Sequence, residues 1–80
     1  MMLGIVIDSV WSTKKAAALT GQTLLLVSPQ SMSGPPLVAA DCVGAGVGEQ
    51  VLVTSGSAAR LAAGKDCPVD AAVIGIIDPK

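Results

Sequence analysis

The apolar positions of this chain come in short blocks separated by turn formers. Leu3–Val10 alternates loosely between apolar and polar and is rich in β-branched residues, which predicts a strand. Thr20–Gly21 reads as a turn ahead of Leu24–Ser28 (LLLVS), a short and nearly continuous apolar strand. The proline and glycine of Ser31–Pro36 are incompatible with ladder pairing, so that segment is a loop. Leu37–Val43 and Gln50–Thr54 predict two further strands joined by a glycine-rich loop. Ser57 stands where a helix N-cap belongs, Ala58–Ala63 is built of strong helix formers, and Gly64 is placed to stop the helix. Ala71–Ile77 (AAVIGII) predicts a last, buried strand.

Five short strands with one short helix before the last, in 80 residues, predict a single all-β domain spanning residues 1–80. Short strands joined by short turns in so small a chain close into a barrel. The expected fold is a five-stranded, OB-like β-barrel with one short α-helix near one end.

Composition changes that picture in one respect. The chain is 51% hydrophobic but only 14% charged, against about 25% charged for ordinary soluble domains. A chain this short buries only a modest share of its unfolded surface, so some apolar surface must be covered by something else. A membrane is the poorer answer. The longest uncharged run, Ala16–Ala40, is interrupted by Gly21, Pro29, Gly34, Pro35 and Pro36. The N-terminus has no basic region and meets Asp8 almost at once, unlike a signal peptide. Association with copies of itself is the better outlet. A net charge of −1, with Lys14–Lys15 as the one basic pair and no aromatic residue but Trp11, argues against a nucleic-acid surface. Cys42 and Cys67, with no histidine in the chain, make a poor zinc set and read as small buried hydrophobes, reduced in a cytoplasmic setting.

The glycine loop is the candidate for chemistry. In VGAGVGEQVLVT, Gly44, Gly46 and Gly48 lead into Glu49 and then a strand. A phosphate-binding loop needs Lys and Ser or Thr after the last glycine, and it opens a helix; Glu49 would repel phosphate instead. No histidine is available as a base, and Ser55 and Ser57 have no evident activating partner. Asp41 and Glu49 are carboxylates that could converge, but their spacing does not require it. No cofactor, metal or catalytic group is expected. Glycine also permits close approach of backbones, so two steric readings stand: a tight turn within one subunit, or room for a neighbouring chain.

Val43–Ala62 (VGAGVGEQVLVTSGSAARLA) followed by Pro68–Asp78 (PVDAAVIGIID) resembles the EutN/CcmL family of microcompartment vertex proteins. Gly4–Ile7, Val10–Lys14 and Gly21–Val27 extend the resemblance over essentially the whole chain. It implies an OB-like barrel assembling as a cyclic homopentamer, which closes the fivefold vertices of a bacterial microcompartment shell in the cytoplasm. The implied partners are hexameric shell proteins of the flat facets. The family's GAGxGE motif falls on Gly44, Ala45, Gly46, Gly48 and Glu49, and its SAR motif on Gly56, Ser57, Ala58, Ala59 and Arg60. The resemblance places these residues at subunit contacts and around the axis, and a Glu49–Arg60 pair, within or between subunits, is expected. The chain stops at Lys80, so the C-terminal extension of some relatives is not assumed. Trp11 reads as a core or interface filler, with a contact to a shell hexamer as the sharper alternative. The competing class is a small OB-type ligand or oligonucleotide binding module, which shares the barrel but wants aromatic and basic residues on its binding face.

Overall fold

The structure, a computed structural model, describes residues 1–30 and 34–78. Its elements are β1 (Met2–Val10), a 3₁₀ turn (Ala17–Leu19), β2 (Leu24–Pro29), β3 (Leu37–Asp41), β4 (Gln50–Ser55), α1 (Ser57–Ala63) and β5 (Ala71–Ile76). The strands close into a barrel in the order β1-β2-β3-β5-β4. All pairs are antiparallel except the short β3–β5 seam, which is parallel through Ala40↔Ala72 and Asp41↔Val73. Each expected strand is present, with ends moved by one or two residues. The Ala17–Leu19 turn was not legible in the pattern. The expected loop at Ser31–Pro36 lies in part outside the described residues.

The barrel interior follows from period-two alternation. Val6, Leu25, Val27, Ala39, Val51, Val53, Ala71 and Val73 point inward and form one buried cluster. These are small, mostly β-branched side chains, suited to a pleated surface curled tightly on itself. Gly4 shows how narrow the bore is. A Cβ there would overlap Val27 Cγ1 and sit 3.0 Å from the Ser28 carbonyl oxygen.

A second, smaller packed layer lies outside the barrel. Ala40, Ala72 and Thr54 form a row across β3, β5 and β4, all buried although they alternate with the inward residues. Helix α1 packs over β4 and β5 and contributes the buried Ala59. Cys67, on the return from α1 to β5, is buried too, whereas Cys42 is exposed, contrary to the expectation that both are interior. Trp11 also departs from a core role, being 91% exposed just beyond β1.

The helix begins one residue earlier than its sequence signal. Gly56, not Ser57, is the N-cap, with φ 65° and no side-chain cap bond. The chain turns from β4 straight into α1, and Gly56 donates its N–H to the Asp70 carbonyl at 2.9 Å. A positive φ is needed at that turn, so glycine displaces the serine from the cap position. Gly64 ends the helix as expected, donating to the Arg60 carbonyl at 2.9 Å.

The β3–β4 loop closes one end of the barrel. Ala45 packs against the core cluster from below. The Asp41 carboxylate holds the loop's first half: Oδ1 accepts from the N–H groups of Val43 at 3.1 Å, Gly44 at 3.0 Å and Ala45 at 3.3 Å, and Oδ2 accepts from Ala45 at 3.1 Å. The loop's second half rejoins the sheet, with Gly48 donating to the Val6 carbonyl at 2.8 Å and Val6 to the Glu49 carbonyl at 3.1 Å.

Two outcomes test this account. Gly4→Ala should destabilise the fold by about 1–3 kcal/mol, the usual cost of overpacking a tight core, read from denaturant midpoints; an unchanged midpoint would mean the bore has slack. Asp41→Ala should cost about 1–3 kcal/mol by orphaning loop N–H groups. Asp41→Asn, which keeps the Oδ1 acceptor, should cost clearly less in the same titration.

Candidate functional site

Gly44 and Gly48 have φ of 80° and 90°, a region that side chains other than glycine rarely adopt. Nothing lies within 4 Å of where their Cβ atoms would be. Their glycine identity is thus fixed by the turn geometry of the loop itself and not by close approach within the subunit. Gly46 is different. Its N–H donates to Glu49 Oε1 at 2.6 Å, and a Cβ at Gly46 would lie 3.3 Å from that oxygen. Glycine here makes room for the carboxylate that folds back over the turn.

Asp41 and Glu49 therefore divide one loop between them. Each spends its carboxylate on backbone N–H groups, Asp41 on residues 43–45 and Glu49 on residue 46. They do not converge as an acid/base pair. Within the chain, Glu49 is engaged with Gly46, and among the described residues no ion pair joins it to Arg60. A Glu49–Arg60 pair would have to cross between subunits.

The second motif is displayed on the helix. Ser57, Ala58 and Arg60 are exposed, and so is Gly56 at the cap. Ala59 is fully buried beneath the helix, so it serves the packing of its own subunit. Gly44, Gly46, Gly48 and Glu49 are exposed while Ala45 is half-buried as the barrel plug. The residues singled out in sequence thus separate into surface positions and two internal ones. Asp41 was missed as the loop's anchor. Its signal was available, since an aspartate entering a Gly-rich turn commonly bonds backbone N–H groups a few residues on.

Among the described residues no group of three or more His, Cys, Asp or Glu side chains is placed to hold a metal ion. Partial desolvation, reinforced by the Asp41 carboxylate and by Cys67, pushes the Cys42 thiol up and away from the reactive thiolate. A concavity of about 390 Å³ is lined by Met1, Met2, Leu37, Val53 and Ala71 with Ser55 and Asp70. What the surface does display is apolar bulk: Val47 at the loop tip is 66% exposed and Leu61 on α1 is 78% exposed. Among the described residues no helix is long and apolar enough to cross a membrane.

Comparison with known proteins agrees along the whole chain. The family model described as "Ethanolamine utilisation protein EutN/carboxysome" matches residues 1–78. The chain is 52% identical to the carboxysome shell vertex protein CcmL of Synechocystis sp., covering 98% of this chain and 83% of that one. It is 48% identical to the bacterial microcompartment shell vertex protein GrpN of Rhodospirillum rubrum, covering 98% and 93%. The solved structure titled "GrpN pentameric microcompartment shell protein from Rhodospirillum rubrum" superposes with a TM-score of 0.89 at 43% identity, over 99% of this chain and 95% of that one. The five-stranded closed barrel, the glycine loop and the α1 motif are all contained in the matched span, and the chain belongs to the EutN/CcmL family.

Proposed function

We propose that this chain is a structural shell protein: it assembles as a cyclic homopentamer that caps the fivefold vertices of a bacterial microcompartment. The observation that carries the reading is the near-complete superposition of the closed barrel on a pentameric shell protein, at a TM-score of 0.89. The physical logic is geometric. Hexagonal tiles make flat sheets, and a closed polyhedron needs fivefold points, so a pentamer among hexameric facet proteins supplies curvature and closure. Its location is then the shell of a microcompartment in the cytoplasm.

The surface supports an assembly role. Leu61, Val47 and Trp11 are exposed apolar residues that cyclic closure can hide without forming filaments. Within this reading, the exposed residues of the two motifs, Gly44, Gly46, Gly48 and Glu49 with Gly56, Ser57, Ala58 and Arg60, line subunit contacts and the region around the axis. Glu49 of one subunit pairs with Arg60 of the next. Trp11, excluded from the core by its exposure, is a contact to a neighbouring subunit or to a facet hexamer. An OB-type oligonucleotide binder is disfavoured because the sole aromatic residue stands beside one lysine pair, without the stacking partners such a face uses.

Native mass spectrometry tests the assembly: five copies of the 7.9 kDa chain should weigh about 40 kDa, and a monomer would remove the vertex reading. Arg60→Ala should lower pentamer stability by about 1–3 kcal/mol per contact, typical of a charge-assisted bond. The measurement is the concentration at which the pentamer dissociates. A pentamer that dissociates as the parent does would exclude the intersubunit pair.

A further inference from the structure

Lys14 and Lys15 are the only charged residues between Asp8 and Asp41. In a chain of net charge −1 they make one basic corner. It adjoins Trp11, the most exposed large apolar side chain among the described residues. The acids at either end of the segment are already engaged. Asp8 Oδ1 accepts from the Ser9 N–H at 2.8 Å, and the Asp41 carboxylate is spent on the β3–β4 loop.

The fold turns this corner into a cleft. Trp11 leaves β1 just past Val10↔Leu24, the last rung of the β1–β2 ladder. The chain then runs through the two lysines and the Ala17–Leu19 turn before it returns to β2. The two arms enclose about 90 Å³, room for a single side chain. Val10 and Leu24, both half-buried, give the cleft an apolar lining, which Trp11, Lys15, Ser9 and Thr23 complete. Its frame is held by other groups: the Ser12 hydroxyl donates to the Lys14 carbonyl at 2.5 Å, and the Gln22 amide donates to the Ala63 carbonyl of α1 at 3.3 Å. These bonds use neither the Trp11 indole nor the Lys15 ammonium.

We infer that the Trp11–Lys15 cleft is a docking site for a short acidic segment of an unlike protein chain. An aliphatic side chain of that segment enters between Val10, Leu24 and the indole, and a flanking carboxylate meets Lys14 or Lys15. Charge complementarity selects the occupant, since a stretch free of acids presents two cations beside an apolar lining. A nucleic acid is a poorer match, because two lysines make no track for a phosphate backbone and one indole no series of stacking platforms. A free inorganic anion has no use for the apolar lining. Exposed ion pairs are individually weak, so the indole and the lining supply most of the affinity, as buried tryptophans do at other interfaces. The lysines supply the preference for acid over neutral. The inference goes beyond the ring proposed above: of the contacts open to Trp11 it selects one with a different chain, and it fails or stands apart from the number of copies.

Trp11 is the one aromatic residue of the chain, so its fluorescence reports on this cleft alone. The assembled protein is titrated with a dye-labelled, capped hexapeptide of alternating leucine and glutamate, with its glutamine counterpart, and with vesicles of anionic phospholipid. The acidic peptide should bind saturably and move the Trp11 emission to shorter wavelength. The glutamine peptide should bind about three- to tenfold more weakly, the effect of one or two exposed ion pairs. Trp11→Ala, followed by the peptide's dye, should weaken binding at least about tenfold. The double variant Lys14→Gln with Lys15→Gln should abolish the preference for glutamate. All three residues are exposed, so these variants keep the fold. Absence of acidic-peptide binding, binding that ignores Trp11→Ala, or binding of the vesicles in its place overturns the inference. So does a parent emission that is short-wave before peptide is added and lengthens as the pentamer is diluted apart, which would set Trp11 between copies and leave the vertex reading standing. Peptide binding by a parent that is monomeric at every concentration would uphold the cleft and remove the vertex reading.

Discussion

The narrow bore of the barrel is the constraint on which the rest of the structure depends. Its buried cluster is built of valine, alanine and one leucine, and at Gly4 even a methyl group would collide with Val27. A cylinder that small encloses few side chains. Most of the apolar residues the chain carries must therefore lie outside it, and the fold disposes of them in three ways. Helix α1 packs over β4 and β5, where Thr54 and Ala72 are buried. The β3–β4 loop plugs one end with Ala45. The remainder is left on the surface, which for a subunit of a closed ring is a means of assembly.

The loop shows how economical the device is. Two carboxylates, one at each end of a glycine run, accept hydrogen bonds from the backbone between them, so the turn holds its shape without help from bulky side chains. Buried or turn N–H groups left without acceptors are costly, and Asp41 and Glu49 remove that cost locally. The loop then presents a largely backbone surface with Val43 and Val47 as its exposed apolar side chains.

The curated relatives carry names of shell vertex proteins. In such a protein the functional residues are not convergent polar groups. They are the surfaces by which one subunit meets the next.

Strand existence, order along the chain and the helix stop at Gly64 were legible because period-two alternation and glycine or proline punctuation are local signals. So was the excess of apolar surface, which follows from composition alone. Other features were decided only by the tertiary structure. The N-cap moved to Gly56 because the β4–α1 reversal demands a positive φ, which depends on where β5 and Asp70 lie. Of the two roles open to Trp11, core or interface filler, its exposure beyond the end of β1 removes the first, and Cys42, expected inside, lies outside because β3 ends at Asp41. The positive φ of Gly44 and Gly48, which the turn within the subunit itself requires of glycine, is likewise visible only in the folded loop. The sequence determined which residues are apolar and how they alternate. Only the closure of the sheet decided which alternate set faces the bore, because inside and outside do not exist for a strand until its neighbours are in place.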